Sequence, residues 1–228
     1  MANTCFTSWF MVGPKKDVAM IHEQVMKMQK QENDALHGMY RLQYCSLYTM
    51  LKNMGIDAPD EGVDYRMEFL NAEPKYEETG DTAMLLFTSE DAWAPKDEAM
   101  GLLKKAFPKV RMFYTCEETD NDVFFTNDAD AVHFKDRFVV DACVPGDESA
   151  YEYFETEERL INWVNEEFSE SLNRQCGKTV HVDTYKEACD IESVMDDISE
   201  DYPDDDCYFY IHKVKIDTGA LWLAEAGE

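Results

Sequence analysis

The stretch AMLLFTSEDAWAPKDEAMGLLKKAFPKVRMFYTC, residues 83–116, decides the architecture. Ala83–Thr88 is a run of apolar and β-forming residues and reads as a strand. Ala94-Pro95 then opens a helix. Pro95 suits the first helical position, Asp97 and Glu98 suit the positive end of the helix, and Lys104 and Lys105 suit the negative end. Pro108 closes the helix, and Val110–Cys116 reads as the next strand.

On its N-terminal side the pattern repeats. Thr4–Val12 is rich in β-formers and stops at Gly13-Pro14. Val18, Ile21, Val25 and Met28 then recur at helical spacing, which predicts an amphipathic helix over Asp17–Lys30. A second helix is expected over Leu42–Met54, with Leu47, Met50, Leu51 and Met54 on one face and Gly55 as its stop. A strand near Asp64–Asn71 follows, separated from Ala83 by the charged, turn-like stretch EPKYEETGDT. The order β-α-(α)-β-β-α-β is that of a ferredoxin-like fold: α+β, with an antiparallel sheet and its helices on one face. It assigns residues 1–118 to a first domain.

Residues 119–228 read as a second, acidic α+β lobe packed on the first. Val123-Phe124-Phe125, a turn at TNDAD and FKDRFVVDACV suggest a hairpin with Val139 and Val140 in the return strand. Thr156 suits the N-cap of a helix carrying Leu160, Trp163, Val164 and Phe168. TVHV after Gly177 reads as a short strand, and Thr184 with Glu187 matches a capping box. Ala188, Ile191, Met195 and Ile198 continue on one helical face. The acidic connector SEDYPDDD follows, then a strand over Cys207–Ile216.

The charge narrows the partners. The 228 residues carry 48 acids against 21 bases, a net −27. Direct nucleic-acid binding needs clustered Lys and Arg, and so does an anionic membrane surface, so neither is expected. No apolar run approaches the ~18–20 residues of a membrane span. The N-terminus shows no positive region ahead of its apolar stretch, so no secretory signal is expected. From Tyr151 to Glu228 there are 21 acids and 6 bases, a net −15. The excess has two readings, solubility and an acidic interaction face.

Seven cysteines, an odd number without a CxxC pair, suggest reduced thiols in a cytoplasmic protein. The five histidines are scattered, so no zinc site, and no cofactor, is expected. There is no GxSxG, P-loop or GxGxxG signature. Cys143, before Pro145-Gly146, is the best candidate for a thiol nucleophile and is otherwise a packed cysteine. Glu117, Glu118, Asp120 and Asp122 precede Val123-Phe124-Phe125, while Asn127, Asp128 and Asp130 follow it. Such oxygen-rich residues suit Ca²⁺ or Mg²⁺ if a hairpin gathers them, and are equally ordinary turn formers. Trp93 reads as an anchor for the following helix, or as a binding aromatic.

Several short blocks occur in a recognisable order: Glu90-Asp91-Ala92-Trp93, Phe107-Pro108, Glu117-Glu118, Phe124-Phe125-Thr126-Asn127-Asp128, His133–Phe138 and Tyr153–Thr156. Over roughly Glu68 to Val164 the chain resembles uncharacterised proteins of gut-bacterial mobile elements and phages that carry a YubB-type ferredoxin-like domain. The resemblance implies that fold and a mobile-element origin. It assigns no role to Glu90, Trp93, Glu117, Glu118, Asn127 or Asp128.

Three functional expectations follow. The first is a non-catalytic protein that binds a basic host or element-encoded protein through an acidic face of Glu187, Asp190, Asp196, Asp197, Glu200, Asp204, Asp205 and Asp206. The second is a DNA-mimicking inhibitor of a nucleic-acid-binding or defence protein. A globule about 35–45 Å across matches a duplex bearing on the order of 20–26 charges. The third is a metal-dependent hydrolase using the carboxylates between Glu117 and Asp130.

Overall fold

The computed structural model describes residues 4–35, 46–59, 63, 65–70, 73–92, 94–118, 123–203 and 205–227. It is a mixed α+β structure in two compact units. Unit 1 comprises residues 1–134 and 216–228, and unit 2 residues 135–215. The expected boundary after residue 118 therefore lies within what contacts gather as unit 1.

Unit 1 is built on a seven-stranded sheet. Strand β1 (Thr4–Pro14) lies between β4 (Thr82–Ala92) and β5 (Arg111–Glu118), antiparallel to both. Beyond β4, both β2 (Met67–Phe69) and β3 (Lys75–Thr79) pair antiparallel with it. Beyond β5 lies β6 (Val123–Thr126), and a later strand, β10 (Lys215–Ile216), forms the outer edge. The order β10-β6-β5-β1-β4-β2, with β3 also on β4, differs from a plain βαββαβ sheet through β3, β6 and β10.

Strand alternation sends Trp9, Met11, Leu85, Phe87, Met112 and Tyr114 to one face. There they share a core with Val18, Ile21 and Val25 of α1 (Lys15–Ala35), Leu47, Met50 and Leu51 of α2 (Ser46–Asn53), and Met100 and Leu103 of α3 (Asp97–Ala106). The helices thus cover the same face, as the sequence suggests. Helix α3 starts two residues after Pro95, with Lys96 as its N-cap. Leu42–Cys45, at the start of the expected second helix, lie outside the described residues.

Two expectations for unit 1 need correction. The stretch EPKYEETGDT is not a turn: its middle forms β3, a hairpin partner of β4 closed at Gly80, whose φ is 60°. Four of the five β3 residues are exposed, so the strand lacks the apolar alternation that would announce it. Nor are all cysteines unpaired. The β1–β5 register sets Thr7 opposite Cys116, which leaves Cys5 diagonal to Cys116 on the buried face, and the two are joined in a disulfide. Among the described residues Cys143, Cys176, Cys189 and Cys207 are free.

Unit 2 has a three-stranded antiparallel sheet. β7 (Phe138–Cys143) lies between β8 (Ala150–Phe154) and β9 (Tyr208–Lys213). The expected β6–β7 hairpin does not form, since β6 pairs with β5 and β7 belongs to this second sheet. Thr156 caps α4 (Glu157–Trp163) by accepting from the Arg159 N–H. The helix runs on through a π-helical turn (Val164–Phe168) into α5 (Ser169–Cys176), which ends at Gly177 in the left-handed region, φ 66°.

Thr179–Val182 is not a strand. The Asn165 amide replaces a strand partner, donating to Val182 O (2.8 Å) and accepting from Val182 N–H (2.8 Å). Thr184 and Glu187 form the expected capping box of α6 (Tyr185–Cys189), and α7 (Ile191–Ser199) follows. Ala188, Ile191, Met195 and Ile198 all enter a core with Phe138, Val140, Leu160, Phe168 and Phe209.

Candidate interaction surface

Among the described residues the carboxylates around β6 do not converge. Glu117 and Glu118 are successive strand residues and face opposite sides of the sheet. Glu117 shares a row with Glu90, one on either side of Phe6, with Glu68 beyond Glu90 and Phe124 beyond Glu117. Two of the motif residues, Glu90 and Glu117, therefore lie together on the face away from the helices, while Glu118 is buried on the other. Trp93, Asp120 and Asp122 lie outside the described residues.

Asn127 and Asp128 satisfy the fold's own backbone. The Asn127 carboxamide accepts from Tyr114 N–H (2.7 Å) and donates to Met112 O (3.0 Å) and Ala220 O (3.2 Å). One Asp128 oxygen accepts from His133 N–H (2.6 Å) and Phe134 N–H (2.8 Å). Both residues are buried, whereas Asp130 is exposed. Among the described residues no three His, Cys, Asp or Glu side chains are gathered as a metal site.

The acids expected to form a face in unit 2 are turned outward. Glu187, Asp190, Asp196, Asp197 and Glu200 are exposed because the apolar stripe of α6 and α7 faces the core, and Asp205 and Asp206 are exposed on the connector that follows α7. Asp204 lies outside the described residues. Glu187 is partly committed to its capping box, where its carboxylate accepts from Asp183 N–H (2.8 Å) and Thr184 N–H (3.1 Å). These bonds hold its carboxyl below the usual range.

At the end of β7 lies Cys143. Burial, and then the negative charges of Asp206, Asp141, Asp147 and Asp205, push its thiol up. A thiol nucleophile needs the reverse, so this cysteine is a buried thiol under an acidic rim. Asp147 in that rim is bound by Arg174 (2.7 Å) and Ser171 (2.5 Å).

Sequence reasoning misses what borders this rim. Phe138, Val140 and Ala142 of β7 face the unit 2 core, so Val139, Asp141 and Cys143 face the other way. The registers place Tyr153 and His212 beside Val139, Tyr151 and Tyr210 beside Asp141, and Tyr208 beside Cys143. Tyr151 and Tyr153 on β8 meet edge to face with centroids 5.4 Å apart, and Tyr208 and Tyr210 on β9 stack at 5.5 Å. Tyr151 is 37% exposed, Tyr153 44% and Tyr210 45%. Burial first, then the Asp141 charge and a hydrogen bond donated to it, push the Tyr208 hydroxyl up to about 12. The result is a trough with two tyrosines along each edge strand and a carboxylate on its floor.

No protein-family model, curated protein or solved structure matches this chain. Among the described residues no helix is long and apolar enough to cross a membrane.

Proposed function

We propose that this protein is a non-catalytic interaction protein that binds a basic protein partner through the acidic surface of unit 2. The observation that carries this reading is the outward set Asp190, Asp196, Asp197 and Glu200, held out by a helix face committed to the core, with Asp205 and Asp206 exposed on the connector after it. Unit 2 has 22 acids against 8 bases, a net −14. A field of that sign repels phosphate backbones and speeds encounter with cationic proteins in a salt-dependent way. The fates of Asn127, Asp128 and Cys143 support a non-catalytic role.

Unit 1 is read in the same proposal as an elaborated ferredoxin-like domain. The inner order β5-β1-β4-β2, with helices on one face, supports that reading. The blocks from Glu90 to Asp128 support a mobile-element origin.

The test is a pulldown from host lysate with the wild-type chain and with an Asp204→Asn/Asp205→Asn/Asp206→Asn variant, at low and physiological salt. A basic protein retained by the wild type at low salt, weakened by physiological salt and by the variant, is the expected result. Recovery of no basic partner, or equal recovery by the variant, reduces the acids to a solubility device.

A further inference from the structure

We infer that the tyrosine trough on unit 2 is where the basic partner's arginine side chains dock, with Asp141 as the anion that pairs with the guanidinium. This rests on the interaction reading above and adds a specific seat and a specific cation to it.

The argument starts from the sheet. Neighbouring strands are about 4.8 Å apart, so the β8 and β9 tyrosine rows flank β7 at about 10 Å from each other. Of the floor residues Val139 and Cys143 are buried while Asp141 keeps partial exposure, so the seat for a planar cation is at the level of Asp141. Arg is planar, stacks on aromatic faces and pairs with a carboxylate through two N–H groups, whereas Lys is a strongly hydrated point charge. Asp141 supplies the carboxylate at mid-trough, level with Tyr151 and Tyr210. Tyr208 donates to that carboxylate, which fixes its orientation and leaves it acceptor positions for a fork of donors.

Charge complementarity selects the occupant. Asp205 and Asp206 act electrostatically on Cys143 at the Tyr208 end of the same face. A nucleic acid would find stacking surfaces here, but its phosphates would meet Asp141, Asp205 and Asp206. An arginine finds aromatic faces, a partner carboxylate and an acidic approach. Exposed tyrosines with few rotatable bonds also suit a protein interface, where Tyr and Arg carry much of the binding energy.

The test compares fluorescein-labelled (Arg-Gly-Gly)₃, (Lys-Gly-Gly)₃ and a nine-nucleotide single-stranded DNA, by anisotropy at 25 mM salt. The proteins are the wild type, Asp141→Asn, Tyr210→Leu and Asp205→Asn/Asp206→Asn, each checked for folding by circular dichroism. The arginine peptide should bind about fivefold more tightly than the lysine peptide, the preference expected of stacking and paired donors. Asp141→Asn and Tyr210→Leu should each abolish that preference. Equal binding of both peptides, weakened only by Asp205→Asn/Asp206→Asn, overturns the trough and leaves the broader acidic-surface reading standing. Binding of neither peptide overturns both, and preferential binding of the DNA overturns the assignment of a cation.

Discussion

Asn127 shows how one side chain can hold a fold together. Its carboxamide joins β5 to the segment carrying Ala220, across 93 residues of sequence, and it is almost fully buried. Asn127→Ala would leave the Tyr114 N–H and the Met112 and Ala220 carbonyls to find other partners in a dry site. The expected loss is about 2–4 kcal/mol of unfolding free energy, measured by urea titration. Asp130→Ala, at an exposed position nearby in sequence, should change it by less than about 0.5 kcal/mol. Equal effects would remove Asn127 from this role. Its type was legible in the sequence, but its task was not. A Thr-Asn-Asp run looks the same whether it binds a cation, makes a turn or saturates remote backbone, and the deciding partners lie far along the chain.

Elements were legible where one face was apolar and the other polar. The α7 stripe Ile191, Met195 and Ile198 and the Thr184–Glu187 box could be read from local spacing alone. Strand β3 is exposed along most of its length and gave no such signal. The tyrosine trough was hidden for a different reason. Its walls come from Tyr151 and Tyr153 and from Tyr208 and Tyr210, and only the registers of β8 and β9 on β7 bring them together. A further element escaped notice, the 3₁₀ turn Leu221–Ala224, which buries Leu223 in the unit 1 core. Its Trp222 ring lies over α3 at Gly101, where an added Cβ would come 2.9 Å from Trp222 Cζ2 and closer still to the ring tip. Gly101→Val should therefore displace the ring and cost about 1–3 kcal/mol. Hydrogen exchange over residues 217–227 should quicken as that segment loosens. In a Trp222→Ala background the same substitution should have little further effect, and additive effects would refute this contact.

At the scale of the molecule, charge opposes compactness. A net −27 spread over one chain repels itself, and the repulsion reaches about 30 Å at 0.01 M salt but only about 10 Å at 0.1 M. The midpoint of thermal unfolding should accordingly rise between about 10 and 300 mM sodium chloride, with most of the gain at the low end. A midpoint that falls with salt would mean that the acids are held mainly by attractive pairs. The composition already announced this behaviour, while the division into units did not follow from it. Residues 216–228 return to unit 1 after the whole of unit 2 has been traced, and no local pattern records such a return.

That return sets an order of assembly on the ribosome. Most of unit 1 is made ahead of unit 2, yet Ala220 and Leu223, which complete its interior, and the Ala220 carbonyl that receives Asn127 are made only after residue 215. The intervening 135–215 segment has all its own strands and helices in hand before then and can close first. Vectorial synthesis, which ordinarily favours the amino-terminal domain, is here inverted. Unit 1 waits for residues made after unit 2, and a nascent chain halted anywhere before residue 220 carries an unfinished core.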